Sequence, residues 1–287
     1  MASRDASNGD TMLAGKACFD DIYERPDPGD YYRTLGEFGY QIPHHAQQVF
    51  RTLLAIRRAE GCQPNVVDLC CSYGINAALL RHDLTLADMY RHYRAPDRDP
   101  AGGKDTVASD LTFFGAHRLP DPPRVTGLDV AAPAVGYALR SRLLDAGFAE
   151  NLEVRSPTPA LRAAVAEACL ITVTGGVGYI TERTFHQLLD GLAKPPWIAA
   201  FVLRGIDYQP IADTLATHGL VTEMLEPDTF PQRRFADETE SSSTLESLER
   251  AGISAAGKEA TGYYHTNLFL SRPARETSER PVEQLLA

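Results

Sequence analysis

The sequence predicts an α/β fold with a mostly parallel sheet, an antiparallel last strand and helices on both faces. Three observations lead there. Short β-branched runs alternate with amphipathic helical stretches. The run WIAAFVLRG (197–205) is apolar nearly throughout, as a strand covered on both faces must be. The first strand-like run passes through a turn of small residues straight into a helix.

Taken in order, PNVVDLCC (64–71) reads as strand one. INAALLRH (75–82) continues it as a helix, with Ile75, Leu79 and Leu80 at helical spacing. RVTGLDV (124–130) is strand two. The next helix, APAVGYALRSRLLDAG (132–147), carries Val135, Leu139 and Leu143 as a stripe and Gly147 as its stop. LEVR (152–155) reads as strand three, CLITVTGG (169–176) as strand four and residues 197–205 as strand five. LVTEMLE (220–226) and YYHTNLFLSR (263–272) are the last two strands. They suggest a late antiparallel pair interrupted by a long insertion that contains the helical DETESSSTLESLERAG (237–252).

One α/β domain over 16–273 is expected between two fraying tails, 1–15 and 274–287, both polar and the second charged. Two stretches stand outside the alternation. The aromatic, proline-punctuated segment 19–46 reads as an N-terminal lid. Residues 83–123 form an insertion far longer than the usual link between a helix and a strand, as lids and binding loops often are.

Composition limits the function. The chain has 287 residues, 44% of them apolar, enough for a sizeable core. A net charge of −10, from 38 acidic and 28 basic residues, argues against nucleic acid held on a broad basic face. Five cysteines without framework spacing read as reduced thiols. No stretch approaches the roughly 18 apolar residues of a spanning helix, so a cytoplasmic protein with no membrane partner is expected. The eight histidines show no HExxH-type spacing, so no metal site is expected, and no GxSxG elbow supports acyl chemistry.

The residues that carry chemistry follow strand one: Asp68-Leu69-Cys70-Cys71-Ser72-Tyr73-Gly74. An acid, a tight turn and a helix start put backbone N–H groups at the carboxyl edge of the sheet, where open α/β folds bind ligands. Here the chain resembles the class I S-adenosylmethionine-dependent methyltransferases over about residues 64–205. That family has D-x-G-x-G-x-G after strand one and an acid closing strand two. In this chain Cys70 and Ser72 stand at the first two glycine positions and Gly74 at the third.

The resemblance implies a Rossmann-like, seven-stranded sheet and S-adenosylmethionine as cofactor. It also implies cofactor contacts from Asp68, Cys70, Ser72, Tyr73, Gly74, Asp129, Thr174 and Gly175. Asp129 falls where the family holds the ribose hydroxyls, although an Asp there also caps the following helix. It stands far beyond the roughly 20 residues separating loop and acid in dinucleotide folds, which weakens a nicotinamide reading. If strand three ends at 155, only Ser156 and Thr158 remain as side-chain partners for adenine.

Three residues are candidates for catalysis. Tyr179, in TGGVGYITERTF (174–185), follows strand four, where a phenol can hold a nucleophile or lay its ring against a sulfonium. Asp207 follows strand five beside Arg204 and Tyr208, equally readable as a helix cap. Tyr32, with Tyr31 and Tyr40, belongs to the lid segment. Arg233 and Arg234 read as a solvated pair rather than a carboxylate clamp.

The expected activity is methylation of a small molecule; a homodimer is compatible with it. The alternative keeps the cofactor and cyclises it: the α-amine attacks the γ-carbon, giving azetidine-2-carboxylate and methylthioadenosine. In that case S-adenosylmethionine is the sole substrate.

Overall fold

The computed structural model describes residues 19–95 and 106–287; the expected N-terminal tail lies outside them. Eight strands form one sheet: β1 Asn65–Leu69, β2 Arg124–Asp129, β3 Ala146–Ala149, β4 Leu170–Thr174, β5 Trp197–Leu203, β6 Leu220–Met224, β7 Phe230–Arg234 and β8 Tyr263–Pro273. Their order is β3-β2-β1-β4-β5-β8-β6, with β7 also paired to β8. The first five run parallel, whereas β8 is antiparallel to β5, β6 and β7.

The alternation of side chains along the strands divides the core in two. Along β5, Trp197, Ala199 and Phe201 enter one apolar cluster, and Ile198, Ala200 and Val202 the other. Along β1, Val66 faces the first cluster while Val67 and Leu69 face the second. Asp68 therefore points to the same face as Val66, where it is fully buried. The helices are α1 Gly29–Glu37, α2 Ile42–Ala59, α3 Ile75–Arg81, α4 Leu86–Tyr93, α5 Thr106–Ala116 and α6 Ala132–Arg140. They continue with α7 Pro159–Ala166, α8 Glu182–Leu189, α9 Gln209–Thr217, α10 Glu238–Arg250, α11 Ala274–Glu279 and α12 Val282–Leu285.

The expected α/β class and the late antiparallel pairing are found, with four corrections. Strand three lies at 146–149 rather than 152–155, and residues 152–155 belong to the loop after it. Gly147 accordingly pairs within β3 instead of stopping a helix. A Cβ there would come within 2.7 Å of Val135, so only glycine lets α6 pack this close to the strand. An eighth strand, β7, adds to the expected seven. Finally, the charged C-terminal segment forms α11 and α12, with Val282 and Leu285 buried in the core. The insertion 83–123 contributes α4 and α5.

Candidate functional site

β1 sits between β2 and β4, and the chain leaves these neighbours in opposite directions, opening a crevice at the carboxyl edge of the sheet. A cavity of about 470 Å³ lies there. Cys70, Ser72, Asp129, Asn76 and Thr174 line its floor, Tyr23, Tyr31 and Tyr40 its roof, and Gln232 with Arg233 one wall.

Cys70 (φ 55°), Ser72 (φ 51°) and Gly74 (φ 77°) all adopt left-handed backbone. These are the three positions at which the resemblance has glycine. The conformation persists although two of the residues carry a Cβ, at a cost of about 1–2 kcal/mol for each. The loop is tied to strand two as well. Ser72 N donates to Asp129 Oδ2 at 2.8 Å, and Ala131 N donates to Asp129 Oδ1 at 2.9 Å. Asp129 thus holds both the cofactor-type loop and the start of α6. The Ser72 side chain is buried, and its Oγ has no hydrogen-bond partner among the described residues.

Beneath the loop, Asp68 Oδ1 accepts from Asn76 Nδ2 at 2.9 Å and from Thr172 Oγ1 at 2.8 Å. Asn76 Nδ2 also reaches Thr174 Oγ1 at 3.0 Å, which links the acid to the cavity floor. Asp68 Oδ2 is buried without a partner among the described residues, and burial pushes this carboxyl up to about 7 against the hydrogen bonds from Asn76 and Thr172.

Tyr73 does not line the cavity. Its buried hydroxyl lies 2.7 Å from Ile22 O and 2.9 Å from Arg25 O, and its single proton is shared between them. The glycine-type loop therefore pins the lid segment above it. Tyr31 is the centre of the roof, in edge-on contact with Tyr23, Tyr32, Tyr40 and Tyr73 at ring distances of 5.1–6.3 Å. Burial first, and neighbouring phenols second, raise Tyr23 and Tyr31 well above the ordinary phenol range. Neither is a phenolate, hence neither a base, near neutral pH.

The wall comes from β7. Gln232 is buried, its Oε1 without a partner among the described residues, and its Nε2 lies against Gly175. Arg233 is not a solvated residue as expected but 2% exposed. It is bound bidentately to Glu240 at 2.6 and 2.8 Å and lies over the rings of Tyr264 and Phe19. Main-chain bonds from Gln41 N to Gln232 O at 2.7 Å and from Arg234 N to Phe38 O at 2.8 Å stitch β7 to the lid.

The remaining candidates divide. Thr174, Gly175 and Tyr179 line the cavity, with Tyr179 58% exposed at its rim beside Val130. Tyr32 is not brought to the cavity: it is buried in the lid and stacked on Tyr93 at 4.3 Å. Asp207 is also elsewhere. Its Oδ1 accepts from Gln209 N at 2.9 Å at the start of α9, and it lines a separate cavity of about 570 Å³ with Arg204 and Tyr208. The insertion 83–123 does not reach the main cavity with any described residue. It buttresses the lid through Tyr90, whose hydroxyl donates to Tyr40 O at 2.8 Å, and through Tyr93.

Sequence reasoning missed Gln232, Asn76, Tyr23 and Glu153. Moving strand three to 146–149 places Glu150 and Glu153 in the loop that follows it, so Ser156 and Thr158 are not the only polar side chains there. Glu153 accepts from Thr181 N, Thr181 Oγ1 and Thr184 Oγ1 at 2.6–2.9 Å. Burial would raise its carboxyl, but these bonds outweigh burial and hold it below the ordinary range.

No protein-family model and no curated protein matches the chain. Among solved structures, magnesium protoporphyrin IX methyltransferase from Synechocystis, with bound S-adenosylmethionine, is similar at 11% identity. The match covers 94% of this chain and 100% of that one, with a TM-score of 0.41. A TehB-like S-adenosylmethionine-dependent methyltransferase from Corynebacterium glutamicum is similar at 13% identity, covering 84% and 94%, with a TM-score of 0.41. A precorrin-6y C5,15-methyltransferase from Geobacter metallireducens shows 9% identity over 80% and 87%, with a TM-score of 0.38. Likenesses this distant assign neither substrate nor activity; the fold rests on the strand order itself. Among the described residues no helix is long and apolar enough to cross a membrane.

Proposed function

We propose that the cavity binds S-adenosylmethionine and that the chain transfers its methyl group to a small molecule. The observation that carries this reading is the loop after β1, which keeps left-handed backbone at residues 70, 72 and 74 and is bonded to the acid closing β2. Strain at two non-glycine residues is retained where the surroundings demand it, as at ligand sites.

The residues present fit the cofactor. The Ser72 hydroxyl lies unpartnered on the floor and suits a carboxylate. Asp129 has further lone pairs for ribose hydroxyls, and Val130 and Tyr179 offer exposed apolar walls for a purine. Bound there, S-adenosylmethionine supplies an electrophilic methyl on a sulfonium. The protein then holds reactants in line and excludes water. Calorimetric titration with S-adenosylmethionine and S-adenosylhomocysteine tests the reading. Asp129→Ala should weaken both by about 1–3 kcal/mol, and absence of binding to the unaltered protein would refute it.

A second reading, cyclisation of S-adenosylmethionine to azetidine-2-carboxylate, is favoured by one observation. The tyrosine roof overlies the cavity, with Tyr31 4% exposed, and the volume is in the lower half of the roughly 300–1,000 Å³ usual for one small ligand. Incubation with S-adenosylmethionine alone, followed by mass spectrometry, distinguishes the two: only cyclisation yields methylthioadenosine without an acceptor.

A further inference from the structure

We propose that the nucleophile at this site is an uncharged amine, and that Gln232 orients it by accepting one of its N–H bonds at Oε1. The inference rests on the cofactor reading above and names the substrate class for it.

Gln232 is 2% exposed and lines the cavity, and its carbonyl oxygen is buried without a partner among the described residues. A buried acceptor left unpaired destabilises the empty site, and a ligand that brings a donor to it relieves that cost. The amide is close to the main chain of Gly175, and Cys70 Sγ is close to that of Gly176, so Gln232 stands at the turn after β4, across from the strained loop.

Charge selects among donors. Asp129 and Glu24 bring carboxyl groups to the cavity lining, while the Arg233 guanidinium is matched by Glu240. An anionic acceptor would meet no unpaired cation among the described lining residues. Aromatic faces of Tyr23, Tyr31 and Tyr40 instead suit a positive charge.

The proton balance agrees. The buried phenols above the site are held protonated and do not serve a hydroxyl nucleophile as base. A neutral amine needs none before attack. Its lone pair forms a bond to carbon, the S–C bond breaks with its electron pair passing to sulfur, and the positive charge moves from sulfur to nitrogen. The resulting ammonium sheds its proton to water afterwards. A separate amine attacking the methyl and the cofactor's own α-amine attacking the γ-carbon share this chemistry.

The test compares two unreactive ligands by calorimetry. Sinefungin carries an amine where the sulfonium methyl stands, and S-adenosylhomocysteine carries nothing there. The unaltered protein should prefer sinefungin about tenfold, the worth of one charge-assisted bond. Gln232→Leu and the slimmer Gln232→Met should abolish the preference while leaving S-adenosylhomocysteine affinity within about twofold. A wild-type ratio near one overturns the inference without any variant, and so does a preference that survives in a folded variant. Failure of both ligands to bind overturns the cofactor reading itself and the inference with it. Once the preference is found, products from S-adenosylmethionine alone identify the source. Methylthioadenosine means the α-amine, and intact cofactor means a separate amine.

Discussion

Ser72→Gly should make the ligand-free protein more stable and its ligand binding weaker. Ser72 holds φ 51°, and its hydroxyl is buried without a partner among the described residues. Removing Cβ relieves about 1 kcal/mol of left-handed strain. Removing an unpaired buried hydroxyl returns about 1–2 kcal/mol. The added freedom of glycine in the unfolded chain takes back about 0.5–1 kcal/mol. The net gain is about 1–2.5 kcal/mol, a rise of roughly 2–4 °C in Tm for a domain of this size. The backbone bond from Ser72 N to Asp129 survives the change.

Ser72→Ala serves as the comparison, since it removes the hydroxyl and keeps the strained Cβ. It should recover most of the gain, and the difference between the two variants measures the strain less the entropy cost of glycine. Both should bind S-adenosylmethionine about tenfold more weakly, the worth of one hydrogen bond to a carboxylate. Differential scanning calorimetry and titration calorimetry read the two effects. A lower Tm for Ser72→Gly would refute the strain reasoning. Unchanged affinity in both variants would remove the hydroxyl from the ligand site.

Two further predictions concern the surroundings of the cavity. Burial lifts the folded-state pKa of Asp68 to about 7, above the roughly 3.9 of an unfolded aspartate. Its contribution is therefore present below about pH 4 and lost as pH rises through about 7. Asp68→Asn should flatten that loss in urea midpoints measured across the window, and parallel profiles for the two proteins would contradict it. Glu240→Gln leaves the Arg233 charge buried and uncompensated. It should cost about 3–5 kcal/mol by chemical denaturation, and a loss below about 1 kcal/mol would mean that Arg233 escapes to water.

The sheet was legible wherever a strand is covered on both faces. β4 and β5 consist of β-branched and apolar residues, β1 carries Val66, Val67 and Leu69, and all three fall within the stretches read from the sequence. β3 is Ala-Gly-Phe-Ala, without a single β-branched residue, while nearby LEVR alternates like a strand and is none. That slip concealed Glu153. β7 (FPQRR) escaped notice because its proline and two arginines resemble a surface loop. Arg233 enters the interior only because Glu240, in α10, neutralises it there.

In the site, the family resemblance pointed to Cys70, Ser72 and Asp129, and all three line the cavity. Gln232 was not legible, since a lone glutamine carries no pattern until tertiary packing leaves its carbonyl unpaired. Tyr32 and Tyr31 are neighbours in sequence, yet helix geometry turns one into the lid's interior and the other onto the cavity.

The stitching of β7 to the lid has a consequence for how such a protein can diversify. Of the floor residues, Asp129 and Thr174 end parallel strands whose register is shared with the whole sheet. The roof and wall, residues 19–46 and 230–234, hold each other through main-chain bonds that do not depend on side-chain identity. They form one unit of two pieces far apart in the chain, so a change of main-chain course in the roof must be matched by one in the wall.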